Sequence, residues 1–438
     1  MAERHLFGTD GVRGVAGEVL TASLALQLGR AAVAELGARR LLILRDTRRS
    51  GPMLEAALAA GASSAGASVL SGGVLPTPAA PLLAGRLGFD LAAVISASHN
   101  PFADNGIKFF GPDGFKLSDE TEARIEARIA ADDGRGAEHG DIGRLVGAPE
   151  DYLRLLAERF EGLDLSGVRV ALDCANGATF HVAPEIFRRL GADVTATHTT
   201  PDGQNINADC GSTHLGSLVA LMREGAHDIG FAFDGDGDRV LAVDRAGEVV
   251  DGDELIALAA GHLARAGELG GGVAVTVMTN FGFHRAMADR GIDVAITGVG
   301  DRYVLAALRE RQWRLGGEQS GHIIDLGFCS SGDGIASALL TLEALAGADL
   351  VDRDGMRKMP QLLVNVPVPD RDAALADAGV LSARDDVARE LGDDGRILLR
   401  ASGTEQLVRV MVEAPTEQQA TELCERVAAE VRALQAAV

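Results

Sequence analysis

One pattern occurs three times in the chain and limits what it can fold into. A short apolar run leads into a polar turn, then an alanine-rich or amphipathic helical stretch, then a glycine that opens a second apolar run. "RRLLILRDTRRSG…SSAGASVLSGG" closes this way at Gly66-Ala67-Ser68-Val69, "VRVALDCANGATFHVAPEIFRRLGADVTATH" at Gly191-Ala192-Asp193-Val194, and "GVAVTVMTNFGFHRAMADRGIDVAITG" at Gly291-Ile292-Asp293-Val294. In each, the glycine ends the helix and lets the chain turn back. Near-continuous apolar strands alternating with helices predict parallel sheets in an α/β architecture. The repeats lie 125 and 100 residues apart, a spacing of whole domains and not of a short-period solenoid.

The tail departs from the pattern. After "KMPQLLVNVPVPD" and a helical stretch, "GRILLRASGTEQLVRVMVEA" reads as two strands around a tight polar loop, and "TEQQATELCERVAAEVRALQ" as a closing amphipathic helix. The predicted fold is α/β, with three α/β domains of repeated topology and a C-terminal α+β domain. Boundaries fall near 148, 251 and 362, giving domains of residues 1–148, 149–251, 252–362 and 363–438.

Composition narrows the function classes. Of the 438 residues, 47% are apolar and 24% charged, enough for real cores. No apolar run reaches the length of a membrane span, and "MAERHLFGTD" has no hydrophobic signal core, so a cytoplasmic protein is expected with no membrane partner. Cys174, Cys210, Cys329 and Cys424 are isolated in sequence, which suits a reducing compartment and argues against thiolate zinc sites. A net charge of −22 and only 4% aromatic residues argue against nucleic acid. An anionic small molecule is still allowed, because screening over about 8 Å makes local arginines matter more than total charge. Only Lys108, Lys116 and Lys358 are lysines.

Five stretches carry chemistry. "ISASHNPFADNGIK" (95–108) ends a strand with Ser98 and His99, either as an ordinary turn or as a nucleophile loop at a strand's carboxyl end. "DGDGDR" follows the apolar run 229–233 and sets Asp234, Asp236 and Asp238 at alternate positions with only glycine between. Three such carboxylates repel one another unless a hard divalent cation such as Mg²⁺ neutralises them. The same spacing also suits an aspartyl nucleophile at Asp234. "RASGTEQLVR" offers Ser402, Gly403 and Thr404 between Arg400 and Arg409, a nest for phosphate. In "GGEQSGH" (316–322), Glu318, Ser320 and His322 alternate, so an extended backbone would aim all three to one side to grip sugar hydroxyls. In "FGTDGVRG" (7–14), Arg13 stands near glycines that allow close approach to phosphate. No Walker-type glycine loop occurs, which excludes an ordinary P-loop ATPase.

Together these stretches resemble the α-D-phosphohexomutase superfamily along the whole chain, with one motif per domain. "FGTDGVRG" and "GVGDRYV" (298–304) look most like its amino-sugar branch, whereas Ala401 and Gln406 depart from the usual tail loop. The resemblance implies four domains around a central cleft. It implies interconversion of glucosamine 6-phosphate and glucosamine 1-phosphate for amino-sugar nucleotide synthesis, through phosphoserine at Ser98 and a 1,6-bisphosphate. It also implies one Mg²⁺ on Asp234, Asp236, Asp238 and the Ser98 phosphate. A hexosamine or glucose 1,6-bisphosphate would be the activator, and a homodimer is compatible. Arg13 and Arg239 would assist transfer, and Lys108, with His99 behind it, would be the general acid/base in an electropositive pocket. Glu318, Ser320 and His322 would hold the sugar, and Arg400, Ser402, Gly403, Thr404 and Arg409 the idle phosphate. The rivals are phosphoglucomutase or phosphomannomutase activity, an aspartyl-nucleophile phosphatase, and a non-catalytic sugar-phosphate binder.

Overall fold

A computed structural model describes residues 6–8, 10–131, 139–402 and 405–436. The chain divides into two compact units. One comprises Met1–Met278 with Ile292–Arg353, the other Thr279–Gly291 with Asp354–Val438.

The larger unit contains three sheets, each with a parallel centre. In the first, Leu91–Ile95, Arg40–Arg45, Ser68–Val74 and Ile142–Arg144 run parallel, and Asp104–Phe110 and Val12–Val15 extend the other edge. In the second, Ile229–Phe233, Arg169–Asp173 and Asp193–Thr197 are parallel, and Val240–Asp244 and Val249–Val250 are added antiparallel. In the third, Asp293–Thr297, Gly272–Thr276 and Leu315–Gly317 are parallel, and Ile323–Asp325 is antiparallel. The glycines that mark the repeat behave as the sequence suggests: Gly66, Gly191 and Gly291 have φ of 97°, 98° and 66°, just beyond the helices Gly51–Ser64, Val182–Arg189 and Phe281–Asp289.

The sheets are mixed and not wholly parallel, which corrects the sequence reading. The reason is loop length. Only residues 96–103, 234–239 and 318–322 join the third parallel strand of each sheet to its successor. A parallel return needs a crossover of a dozen or more residues, so each successor folds back antiparallel. These three tight returns are the serine, aspartate and Gly-Glu-Gln loops, one in each sheet at the same topological place.

The smaller unit is an antiparallel sheet in the order Gln361–Pro367, Leu407–Glu413, Arg396–Ala401. Helices Ala378–Leu391 and Glu417–Ala436 cover it over a core that includes Val366, Val387, Val410 and Val427. Helix Phe281–Asp289 belongs to this unit; its cap Asn280 donates to the Met359 carbonyl at 3.0 Å, and Phe281 N donates to Glu413 at 3.2 Å. Among the described residues, no helix is long and apolar enough to cross a membrane.

Candidate active site

The serine loop begins where the fully buried strand Leu91–Ile95 ends. Ser98 has φ of 50°, a left-handed backbone that costs a non-glycine residue about 1–3 kcal/mol and persists only where neighbours impose it. Here two side chains impose it. Arg48, with no solvent exposure, pairs with Asp46 at 2.8 Å. Its guanidinium also donates to the carbonyls of Ser98 (2.9 Å), Asn100 (2.8 Å), Asp104 (3.0 Å) and Pro101. Asn207, from the second sheet's loops, donates to the Ser98 and Asn100 carbonyls at 2.9 and 3.1 Å. Ser96 completes the frame: its Oγ accepts from Ser98 N and donates to Asp46. Sequence reasoning missed Arg48 and Asn207, because their partners are backbone carbonyls distant in sequence, and Asp46, because it acts through Arg48 and the distant Ser96 hydroxyl.

The aspartate loop is the return between Ile229–Phe233 and Val240–Asp244. Its glycines are required by contact: a Cβ on Gly235 would meet the Ser98 carbonyl at 2.6 Å, and Gly237 has φ of 71°. Asp234, Asp236 and Asp238 are buried, each with a carboxylate oxygen within 4.8 Å of the others. Asp234 Oδ2 accepts from the Ser98 hydroxyl at 2.6 Å, which ties the metal-type loop to the nucleophile. Burial and repulsion by Asp238 and Asp236 push Asp234 well above the usual carboxylate range. Burial would raise Asp238 too, but His322, Lys108 and Arg239 hold it low. Among the described residues, Asp236 Oδ1 and Asp238 Oδ1 are buried with no hydrogen-bond partner. An all-oxygen set with two orphaned acceptors and mutual repulsion fits a hard divalent cation.

Lys108 is buried, with Asp236 at 2.8 Å, Asp10 at 3.3 Å and Asp238 at 3.8 Å. Its surroundings are anionic and not electropositive, which corrects the sequence expectation. Burial alone would lower the ammonium, but the three carboxylates raise it above its ordinary value. His99 differs. Burial, Arg239 and Arg13 lower it below the usual imidazole value, and its Nδ1 lies 3.3 Å from Ser98 Oγ.

Ser98, Arg13, Asp238, Arg239, Glu318 and His322 line one cavity of about 440 Å³. The Glu318 carboxylate accepts from Gly300 N at 3.0 Å, joining "GVGDRYV" to the Gly-Glu-Gln loop. That loop is not extended: residues 318–321 form a turn closed by Gly321 N on the Glu318 carbonyl, with Gly321 at φ 89°. Ser320 is therefore exposed and outside the cavity lining, unlike Glu318 and His322. The cavity also holds a group that the sequence reading passed over. Lys116 lies 2.5 Å from both Asp10 and Asp301, while Asp10 pairs with Arg13. Lys116 was visible only as one of three lysines.

In the smaller unit, Arg400 and Arg409 are direct cross-strand partners, two like charges facing each other. Burial and Arg409 lower Arg400 from its ordinary value, and among the described residues the buried Nε atoms of both arginines have no hydrogen-bond partner. The Ser402 hydroxyl lies 3.5 Å from Arg409. A bound anion would relieve that repulsion. Gly403 and Thr404 lie outside the described residues.

Comparison with known proteins identifies this arrangement. Four profiles of the phosphoglucomutase/phosphomannomutase family match in order: alpha/beta/alpha domain I at residues 4–135, domain II at 150–247, domain III at 251–363 and the C-terminal domain at 363–430. The chain belongs to this family. It is a phosphohexomutase, an intramolecular phosphotransferase of the isomerase class. It is 50% identical to the phosphoglucosamine mutase of Mycolicibacterium paratuberculosis (98% of this chain, 99% of that protein). It is 47% identical to the phosphoglucosamine mutase of Geobacillus kaustophilus (97% and 98%). A phosphoglucomutase/phosphomannomutase family protein from Burkholderia thailandensis superposes with a TM-score of 0.84 at 26% identity (98% and 97%). The N-acetylphosphoglucosamine mutase of Aspergillus fumigatus, in complex with GlcNAc-6P and magnesium, shares the fold with a TM-score of 0.71 at 20% identity (99% and 96%). The superfamily is metal-dependent, and the buried triple-aspartate site of this phosphohexomutase is able to hold a metal.

Proposed function

We propose that this phosphohexomutase interconverts glucosamine 6-phosphate and glucosamine 1-phosphate, with Ser98 as the phosphoryl carrier and a 1,6-bisphosphate as intermediate. The observation that carries the reading is the Ser98 hydroxyl: it lines the cavity, in an imposed left-handed backbone, 2.6 Å from Asp234. Full-length relatives named as phosphoglucosamine mutases support the substrate. We assign the serine loop to a domain of residues 1–148, the aspartate loop to 149–251, the Gly-Glu-Gln loop to 252–362 and the arginine pair to 363–438.

In the forward half, a free hydroxyl of the sugar phosphate attacks the phosphorus on Ser98. The bond from phosphorus to Ser98 Oγ breaks, and the hydroxyl proton passes to His99, the neutral imidazole beside Oγ. Asp234, Asp236 and Asp238 would hold Mg²⁺, which would supply positive charge to offset that on the transferring phosphoryl group. Lys108 remains an ammonium beside Asp236 and Asp238 and adds positive charge to the same site, and Arg13 and Arg239 line the cavity with Ser98. Glu318 and His322 face the sugar, and Arg400, Ser402 and Arg409 take the phosphate that is not reacting. In the second half, the bisphosphate presents its other phosphate to Ser98, and the proton returns. A hexosamine or glucose 1,6-bisphosphate would recharge enzyme that has lost its phosphoryl group. We place the reaction in the cytoplasm.

The test compares kcat/KM for glucosamine, glucose and mannose phosphates under one set of conditions with the matching bisphosphate. An amine exchanged for a hydroxyl leaves both phosphates and most hydroxyls matched. We therefore expect a preference of at least about tenfold, or ~1.4 kcal/mol, and not exclusion. Equal or better turnover of glucose or mannose phosphate would replace the amino-sugar assignment with phosphoglucomutase or phosphomannomutase activity.

A further inference from the structure

We propose that Asp173, His198 and Cys210 form a second metal site, for Zn²⁺, behind the aspartate loop. Three separate chain segments converge there. Asp173 ends the strand Arg169–Asp173, and His198 follows the parallel neighbour Asp193–Thr197. Cys210 lies in the loop that contains Asn207. Their donor atoms all lie within 4.8 Å of one another, and Asp173 and Cys210 are fully buried.

The geometry favours a shared ion over a simple acid–base pair. His198 Nδ1 is 3.0 Å from Asp173 Oδ1, yet among the described residues this buried nitrogen has no partner in hydrogen-bond geometry. Nitrogen and oxygen therefore share one space without an N–H directed between them. Asp173 is held rigidly from outside, by Ala175 N on Oδ1 (2.9 Å) and by Gly211 N (2.9 Å) and Ser217 Oγ (3.4 Å) on Oδ2. Such outer-shell bonds orient a ligating carboxylate. His198 is itself turned into place by a left-handed backbone, φ 50°, and Asp209 beside Cys210 has φ 53°. One ion bonded at about 2.0–2.3 Å to each donor needs donors roughly 3.3–3.7 Å apart, so the 3.0 Å His198–Asp173 pair would open by a few tenths of an ångström on binding.

Ligand chemistry selects the ion. One thiolate, one imidazole and one carboxylate suit borderline-soft Zn²⁺, whereas the all-oxygen triad suits a hard ion. On binding, the Cys210 thiol proton leaves to solvent as the sulfur–metal bond forms. His198 binds through neutral Nδ1, with its proton on Nε2. The imidazole side chain is 28% exposed, so solvent can supply the fourth ligand. The site is not visible in sequence, because its ligands are 25 and 12 residues apart (173 to 198, and 198 to 210) with no zinc-motif spacing. It also has a consequence. Asn207, three residues from Cys210, grips the Ser98 carbonyl, so an ion there would stiffen the loop that frames the nucleophile.

The test uses full-length protein with saturating Mg²⁺ to occupy the triad, titrated with Co²⁺ as a spectroscopic stand-in. We expect a thiolate-to-cobalt charge-transfer band that saturates at one equivalent and is displaced by Zn²⁺. Cys210→Ser should abolish it, and Asp234→Asn should leave it unchanged. His198→Asn, which tolerates a left-handed backbone, should weaken binding at least as much as the ~10–100-fold that loss of an outer-shell partner costs. Thermal midpoints without metal verify that each variant is folded, and His198→Asn serves if Cys210→Ser is not. No band in the parent protein, a band that survives Cys210→Ser, or zinc retention unaltered by His198→Asn would each overturn the proposal.

Discussion

Arg48→Lys should slow catalysis without weakening substrate binding, and its size follows from the contacts around the serine loop. Lysine keeps a positive charge for buried Asp46 but presents it as one point and not as a planar fork. Arg48 spans the carbonyls of Ser98, Asn100, Pro101 and Asp104, which one ammonium cannot cover. Asn207 still holds two of them. At least one charge-assisted bond is lost, so stability should fall by about 1.5–3 kcal/mol, read as a lower thermal midpoint. The left-handed strain at Ser98 is itself about 1–3 kcal/mol, and a loosened frame lets the loop relax out of the reactive geometry. At 1.36 kcal/mol per decade, kcat should fall roughly five- to tenfold in Arg48→Lys, and toward a hundredfold when Asn207→Ala is added. Arg48 is wholly buried and does not line the cavity, so KM should stay within about twofold. The assay is steady-state turnover with saturating bisphosphate on variants shown to be folded. Unchanged kcat in the folded double variant, or a raised KM with intact kcat, would mean that the guanidinium does not set the position of the nucleophile.

Other expectations are as direct. Ser98→Ala should remove one phosphate from the intact mass and abolish turnover; hydroxylamine-labile label persisting in that variant would favour an aspartyl phosphate instead. Asp236→Asn, or a chelator, should cost several kcal/mol of transition-state stabilisation, and full activity in chelator would reject the metal role of the triad. Arg400→Ala should lower kcat/KM about ten- to a hundredfold through loss of a charge-assisted phosphate bond; unchanged kinetics with both monophosphates would refute it. Burial pushes Asp333 up to about 6 from an ordinary value near 3.9, so the folded chain binds this proton more tightly and the group's contribution, roughly 3 kcal/mol, is full below about pH 4 and lost as pH rises through 6. Asp333→Asn keeps an acceptor for Ala336 N and should flatten that part of the stability profile; identical slopes from pH 4 to 7 in both proteins would refute the cause.

What the sequence disclosed depended on the range of each interaction. The three α/β repeats were legible because apolar runs, helix stops and Gly66, Gly191 and Gly291 are local signals with local causes. Asp234, Asp236 and Asp238 were legible because their repulsion is written in three adjacent pairs of residues. Arg48 was not: "RDTRRSG" reads as a polar turn until the chain brings carbonyls more than 50 residues away onto one guanidinium. Lys116 bridging Asp10 and Asp301, more than 100 and 180 residues away, was hidden for the same reason. Lys108 was noticed for its rarity, but its electrostatics depend on Asp10 and on a loop more than 120 residues distant, and there the reading had the sign wrong.

The alternation in "GGEQSGH" suggests an extended run that aims Ser320 inward, yet five residues between two antiparallel strands of one sheet turn back. The same reasoning applied to "SASHNPFA" and "DGDGDR" shows that each α/β sheet departs from parallel order after its third parallel strand, where the next strand returns at once. A tight return exposes backbone N–H groups and short polar side chains at the carboxyl edge of a parallel sheet, where neighbouring strands leave a crevice. Topology thus brings a serine, three aspartates and a glutamate to corresponding edges of three similar sheets. The chemistry differs among them because each return contains different polar residues, and the repeated fold needs only that the connection remain short.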